Sequence, residues 1–237
     1  MHVIRPICRI QFTAEDIDFI VSVLTPNSDA TACLVELLGD PDSRDVILDD
    51  VKLFRAVLEN VGCVRFSSRL YFYVMVRHVM LEAGIDDPEA ADYIAELLSV
   101  FISERRRRNP LNQGDPPLHY VVDMLAALQT ATSQEQFVLR AHLGNFTLFL
   151  AGLFPAYVRR RRERRAAPSL DYYESIGRES FRVAGNHHLA DEFELGSVFD
   201  TLAERFRETR VALNDLSDRL VYLQEDRFAG ALLIGNS

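Results

Sequence analysis

Residues 199–223 read FDTLAERFRETRVALNDLSDRLVYL. Phe199, Leu202, Phe206, Thr209, Leu213, Leu216, Leu220 and Leu223 alternate in steps of three and four, and seven of the eight are apolar. Such steps keep returning to one side of a 3.6-residue helix, so the stretch predicts a long helix with a sustained apolar seam. A seam of this kind packs inside its own bundle or zips onto a second copy. Val211, Val221 and Tyr222 lie off the seam. A helix with a second apolar stripe is buried on more sides than a two-stranded coil allows. A bundle helix is therefore the expectation, with a protein partner or self-association along Phe199 to Leu223 as the alternative.

The rest of the chain is punctuated in the same way. Thr13-Ala14-Glu15-Asp16 and Asp87-Pro88-Glu89 are helix starts, in which a capping oxygen meets free N–H groups and an acid meets the positive helix end. Ser133 with Gln136 reads as a capping box, and Gly39 as a left-handed helix end. Helices are expected from Thr13 to Leu24, up to Gly39, from Pro41 to Leu58 and from Ser67 to Ala83, and from Pro88 into the first arginine run. Others are expected from Leu118 to Thr130, from Ser133 to Arg165 with breaks near Gly144-Asn145 and at Pro155, and from Pro168 to Val183. The last two run from His187 to Leu195 and from Ser197 to Asp226. Val3-Ile4 and Val64-Arg65-Phe66 are the only short extended candidates, and no Asn-Gly or Asp-Gly hairpin turn occurs. The pattern implies an all-α fold, a single compact multi-helix bundle of about ten helices with central apolar helices. One domain over 1–237 is expected. Its only internal boundary would be the loop at 109–117, with three prolines in nine residues.

Composition narrows the chemistry. The 237 residues are 48% hydrophobic and 26% charged, the balance of a globular chain. Of 26 basic residues only Lys52 is a lysine. It has no glycine-rich loop before it and none of the kinase signatures elsewhere, which removes P-loop and kinase chemistry. Its place on an amphipathic helix puts it on the wet side, away from Schiff-base work. Cys8, Cys33 and Cys63 form no Cys-x-x-Cys pair, so structural zinc has no support. The spacing fits reduced thiols, with Cys33 and Cys63 as small core residues. Together with an N-terminus that lacks an apolar signal region, this gives a cytoplasmic expectation. Leu143 to Val158, LGNFTLFLAGLFPAYV, is apolar and followed by arginines, but its 16 residues fall short of a membrane span. A buried bundle helix is the expectation there.

Three groups of residues could carry function. Arg77 and His78 interrupt one apolar helix, and Arg140 and His142 another. If these helices converge, the four would line a polar ligand pocket; otherwise they are satisfied core residues. His187, His188, Asp191 and Glu192 place two His–carboxylate pairs at i, i+4, which suits metal ligation or acid–base work, against ordinary helix-start chemistry. Glu-x-x-His, His-Glu-x-x-His and Gly-x-Ser-x-Gly are all missing, and no motif points to a cofactor.

The third group is the arginine runs: Arg105, Arg106, Arg107 and Arg108, then Arg159, Arg160, Arg161, Arg162, Arg164 and Arg165. Both follow apolar helices, where cations complement the helix dipole. The first run carries +4 and the second +5, so a chain of net charge −9 holds −18 elsewhere. That segregation is dipolar rather than broadly basic, which argues against nucleic acid and for an acidic protein surface. The expectation is a non-catalytic interaction or regulatory protein. The alternatives are a helical-bundle enzyme or small-ligand protein using the histidine groups, and phosphate, nucleic-acid or anionic-membrane docking through the arginines.

Overall fold

The computed structural model of the chain describes residues 3–25, 28–60, 66–107, 117–165 and 168–222. Every regular element among them is helical. The chain forms two compact units, Pro6–Val100 and Phe101–Arg219 with residues 3–5. The boundary lies inside a helix, where no composition change marks it. The expected boundary at 109–117 lies outside the described residues except for Pro117.

The N-terminal unit opens with a 3₁₀ turn, Arg9–Gln11, followed by α1 (Ala14–Leu24), α2 (Ser28–Gly39) and α3 (Pro41–Leu48). α4 (Val51–Glu59), α5 (Ser68–Glu82) and the first half of α6 (Pro88–Arg107) complete it. Thr13 and Asp16 form the expected capping box of α1. The second oxygen of Asp16 accepts the Ser67 N–H at 2.5 Å, tying the start of α5 to the start of α1. α5 is buried from Leu70 through Arg77, as an all-round apolar helix must be.

Two expectations change here. The helix expected from Pro41 to Leu58 is two, because Asp49 ends α3 while the Asp50 carboxylate accepts the Lys52 N–H at 2.7 Å and starts α4. Gly39 is not left-handed: Asp40 follows at once as the cap of α3, and the chain turns without a positive φ. That conformation belongs to Gly84, φ 73°, which ends α5.

The C-terminal unit contains α7 (Pro117–Ala127), α8 (Ser133–Leu153), α9 (Pro155–Arg165) and α10 (Leu170–Gly185). α11 (His188–Glu192), α12 (Gly196–Glu204) and α13 (Phe206–Tyr222) follow. α10 packs along both α8 and α12. The capping box of α8 sits one residue earlier than expected, on Thr132 and Glu135. α8 runs unbroken through Gly144-Asn145; its only break is at Phe154, where α9 leaves at 88°. The helix end is not left unsatisfied. Asn214 Nδ2 donates to the carbonyls of Ala151, at 3.0 Å, and Gly152, and Ser217 Oγ donates to that of Leu153 at 3.0 Å. No single described helix is long and apolar enough to cross a membrane; Leu143 to Val158 meets that test only as the bent pair α8–α9.

The seam of the opening stretch is internal. Phe199, Leu202, Phe206, Thr209, Leu213 and Leu216 are all buried in the chain itself. The helix is interrupted at Arg205 into α12 and α13. The Leu220 side chain and Leu223 lie outside the described residues.

Small residues set the helix spacing of this unit. A Cβ on Gly144 would meet the Phe181 ring at 2.8 Å, and one on Gly152 would meet Leu213 at 2.9 Å. A Cβ on Gly177 would fall inside contact distance of both the Phe206 ring and Thr147 Oγ1. Gly177→Ala should therefore destabilise the chain by about 1–3 kcal/mol through overpacking. Gly39→Ala, with nothing within 4 Å, should leave the thermal midpoint unchanged or raise it. Thermal unfolding of the two variants checks this.

Candidate functional site

Arg77 and His78 belong to the N-terminal unit, Arg140 and His142 to the C-terminal one. Arg77 is buried, with Nε and Nη2 donating to the Asp49 carboxylate at 2.8 and 2.7 Å and Nη2 also to Asp86 at 2.6 Å. Burial acts to discharge it, but these two carboxylates outweigh burial and push its pKa up, so it stays charged. His78 stacks on Phe54 at 3.5 Å between ring centroids, and its Nε2 is 3.2 Å from Glu82 Oε1. His142 is half-buried and stacks with Phe101 at 6.2 Å. Arg140 is half-buried on α8. Arg77, His78 and His142 thus contact partners within their own units.

The densest polar cluster of the N-terminal unit was not singled out from sequence. Arg9, 5% exposed, spreads its fork over three carboxylates: Nε to Asp92 at 2.7 Å, Nη1 to Asp45 at 2.6 and 2.7 Å, and Nη2 to Glu89. Asp92 also accepts the N–H groups of Cys8, at 2.6 Å, and Arg9, at 3.2 Å. Arg69 holds Glu96 through two nitrogens, at 2.9 and 3.2 Å, and Glu96 accepts from the Cys8 thiol at 3.4 Å. The readable signal was a carboxylate stripe, Glu89, Asp92 and Glu96, on an otherwise apolar helix, with Asp45 and Asp49 one turn apart on another. The basic partners come from elsewhere in the chain, so neither stripe named them.

The chemistry of this cluster is structural. Burial, then the nearby Asp92 and Glu96 charges, push the Cys8 thiol up, so it stays protonated. Burial also pushes the Asp92 carboxyl above the ordinary range, against the opposing pull of Arg9. Burial of Arg9 itself is outweighed by its bonds to Asp45 and Asp92, and it remains a cation.

His187 is a cap rather than a member of the helix. Its Nδ1 accepts the Leu189 N–H at 3.2 Å at the start of α11, and Asn186 ends α10 instead of capping α11. His187 and Asp191 therefore do not share a helix face as i, i+4 partners. His187 Nε2 lies 2.8 Å from Ser133 Oγ. This contact resembles a serine–histidine dyad only in distance. With Nδ1 accepting from backbone, the proton of the neutral ring sits on Nε2, which then donates to Ser133 and cannot take its proton. The ring stacks on Phe137 at 5.3 Å and on His188 at 4.3 Å. His188, Asp191 and Glu192 are oriented on a five-residue helix, with His188 and both carboxylates exposed. Among the described residues no three His, Cys, Asp or Glu side chains are placed to hold a metal ion.

α9 differs from all of these. Arg159, Arg160 and Arg162 are exposed, and among the described residues no carboxylate lies within ion-pair distance of them. Arg160 Nε reaches only the Ala156 carbonyl, at 3.4 Å. Arg161 lies over the Tyr157 ring at 5.7 Å and donates to its hydroxyl at 3.1 Å. The side chains of Arg105, Arg106, Arg107, Arg164 and Arg165, and the whole of Arg108, lie outside the described residues.

No family model matches the chain, and no curated protein or solved structure shows significant similarity to it.

Two measurements check this account of the buried cluster. Arg9→Ala should cost about 3–5 kcal/mol of stability, because it leaves the buried Asp92 carboxylate without its counter-charge. Native alkylation followed by peptide mass analysis should modify Cys33, which is exposed rather than in the core as expected, and spare Cys8 until the chain unfolds. Cys63 lies outside the described residues.

Proposed function

We propose that this chain is a non-catalytic helical docking module that binds an acidic protein surface through the exposed arginines of α9. The observation that carries this reading is the contrast between two sets of arginines. Inside the N-terminal unit Arg9 is held by three carboxylates and Arg77 by two. Arg159, Arg160 and Arg162 are exposed on α9 with no such partner among the described residues. A planar guanidinium is built for bidentate carboxylate contacts, and three exposed on one helix form a multidentate donor set for an acidic strip.

One observation favours protein over nucleic acid. The aromatic ring nearest the arginines, Tyr157, is already covered by Arg161 and is not free to stack a base. Free thiols at Cys8 and Cys33 support the further proposal of a reducing, cytoplasmic setting.

The test uses immobilised poly-glutamate, duplex DNA and anionic lipid vesicles as probes. The wild-type chain should be retained best by poly-glutamate in low salt and released by raising it. Arg159→Gln/Arg160→Gln/Arg162→Gln should weaken retention by at least about tenfold, since each exposed pair contributes up to roughly 1 kcal/mol. Equal retention of the variant, or stronger binding to DNA or vesicles, would overturn the reading.

A further inference from the structure

α2 is an apolar helix left largely exposed among the described residues. Among its described side chains only Leu38 is buried, while Ala30, Ala32, Cys33, Val35 and Leu37 are exposed. α3 packs against it and adds Val46, which is 74% exposed. This apolar floor has an acidic rim. Glu36 and Asp42 are exposed, and the one basic side chain of α2 and α3, Arg44, is itself beside Asp45.

From this juxtaposition we infer that the α2–α3 face receives the α9 helix of a second copy of the chain. The inference rests on the reading of α9 as a docking helix and names its partner. Symmetric pairing of α2 with itself would bring Glu36 and Asp42 against their own copies, so like charge disfavours it and the occupant is basic. Arginine fits both parts of the surface. Its methylene stem covers branched apolar side chains, and its fork reaches carboxylates at the edge.

The charge distribution complements itself in the same sense. Pro6–Val100 carries 17 acidic and 7 basic side chains, while Phe101–Arg219 carries 16 and 17. The contact is heterologous, α9 of one copy on α2–α3 of the next, so it generates chains or rings rather than a closed two-fold dimer. A single-helix contact of this kind is small, weak and strongly screened by salt.

Sedimentation velocity over a wide concentration range, in low and in high salt, tests it. The wild-type mass should climb with concentration in low salt and return to the monomer in high salt. R159E/R160E/R162E and E36R/D42R should each remain monomeric alone and associate when mixed, because the mixture restores opposite charge across the contact. The milder R159Q/R160Q/R162Q and E36Q/D42Q should also be monomeric, and circular dichroism confirms that each variant keeps its helix content. A wild type that stays monomeric in low salt overturns the inference. So does association that E36R/D42R leaves intact, or that mixing fails to restore. If the wild type is monomeric yet still binds poly-glutamate through its α9 arginines, the α9 reading stands and the α2–α3 face alone is excluded.

Discussion

The guanidinium of Arg9 is the point on which the N-terminal unit turns. It faces Asp45 at the middle of α3 and both Glu89 and Asp92 in the first turns of α6, so one side chain fastens three separated parts of the chain. A lysine could not do this, since its ammonium is a single point charge while the arginine fork offers donors in several fixed directions. The arrangement is of high consequence in both directions. Complete, it fixes which segments meet; with the cation removed, the buried Asp92 carboxylate is left without a counter-charge. Arg77, holding Asp49 and Asp86, repeats the device on α5. The near-absence of lysine from this chain thus has a structural counterpart in its core.

The C-terminal unit is held by shape instead of charge. Gly144 and Gly152 on α8 and Gly177 on α10 let Phe181, Leu213 and Phe206 press against neighbouring backbone. The sharp turn from α8 into α9 would leave carbonyls bare, and Asn214 and Ser217 on α13 supply the missing donors. Arg210 supports Asn214 at 2.8 Å and is itself paired with buried Glu174. This small network satisfies the end of α8 where α9 leaves it, with Arg159, Arg160 and Arg162 exposed.

The helical class and most helix starts were legible because caps and apolar spacing are local. Thr13–Asp16 shows this, and so do the prolines at 41 and 88. Helix ends were less so. Asp49-Asp50 and Arg205 break helices within runs whose apolar spacing carries straight through, and nothing in periodicity records a local change of cap. The division into two units fell inside α6 for the same reason. The candidate histidines were visible as residues, but their roles depend on partners far along the chain. His187 became a cap by one residue of phase, and it meets Ser133 across 54 positions. The Arg9 cluster joins residues 36 to 83 positions apart, and no spacing rule reaches that far. Exposure decided the arginine question: sequence grouped the runs, while only the folded chain separated Arg161, resting on Tyr157, from its free neighbours.

Two classes of arginine therefore stand apart, one buried against carboxylates and one exposed and proposed for docking. The most direct test is footprinting of the dilute native chain with an arginine-selective dicarbonyl, followed site by site with mass spectrometry. The account predicts rapid modification of Arg159, Arg160 and Arg162, protection of these three on adding poly-glutamate, and lasting protection of Arg9 and Arg77 until the protein unfolds. Modification of Arg9 and Arg77 as fast as that of α9, or α9 arginines that react no differently with poly-glutamate present, would contradict it.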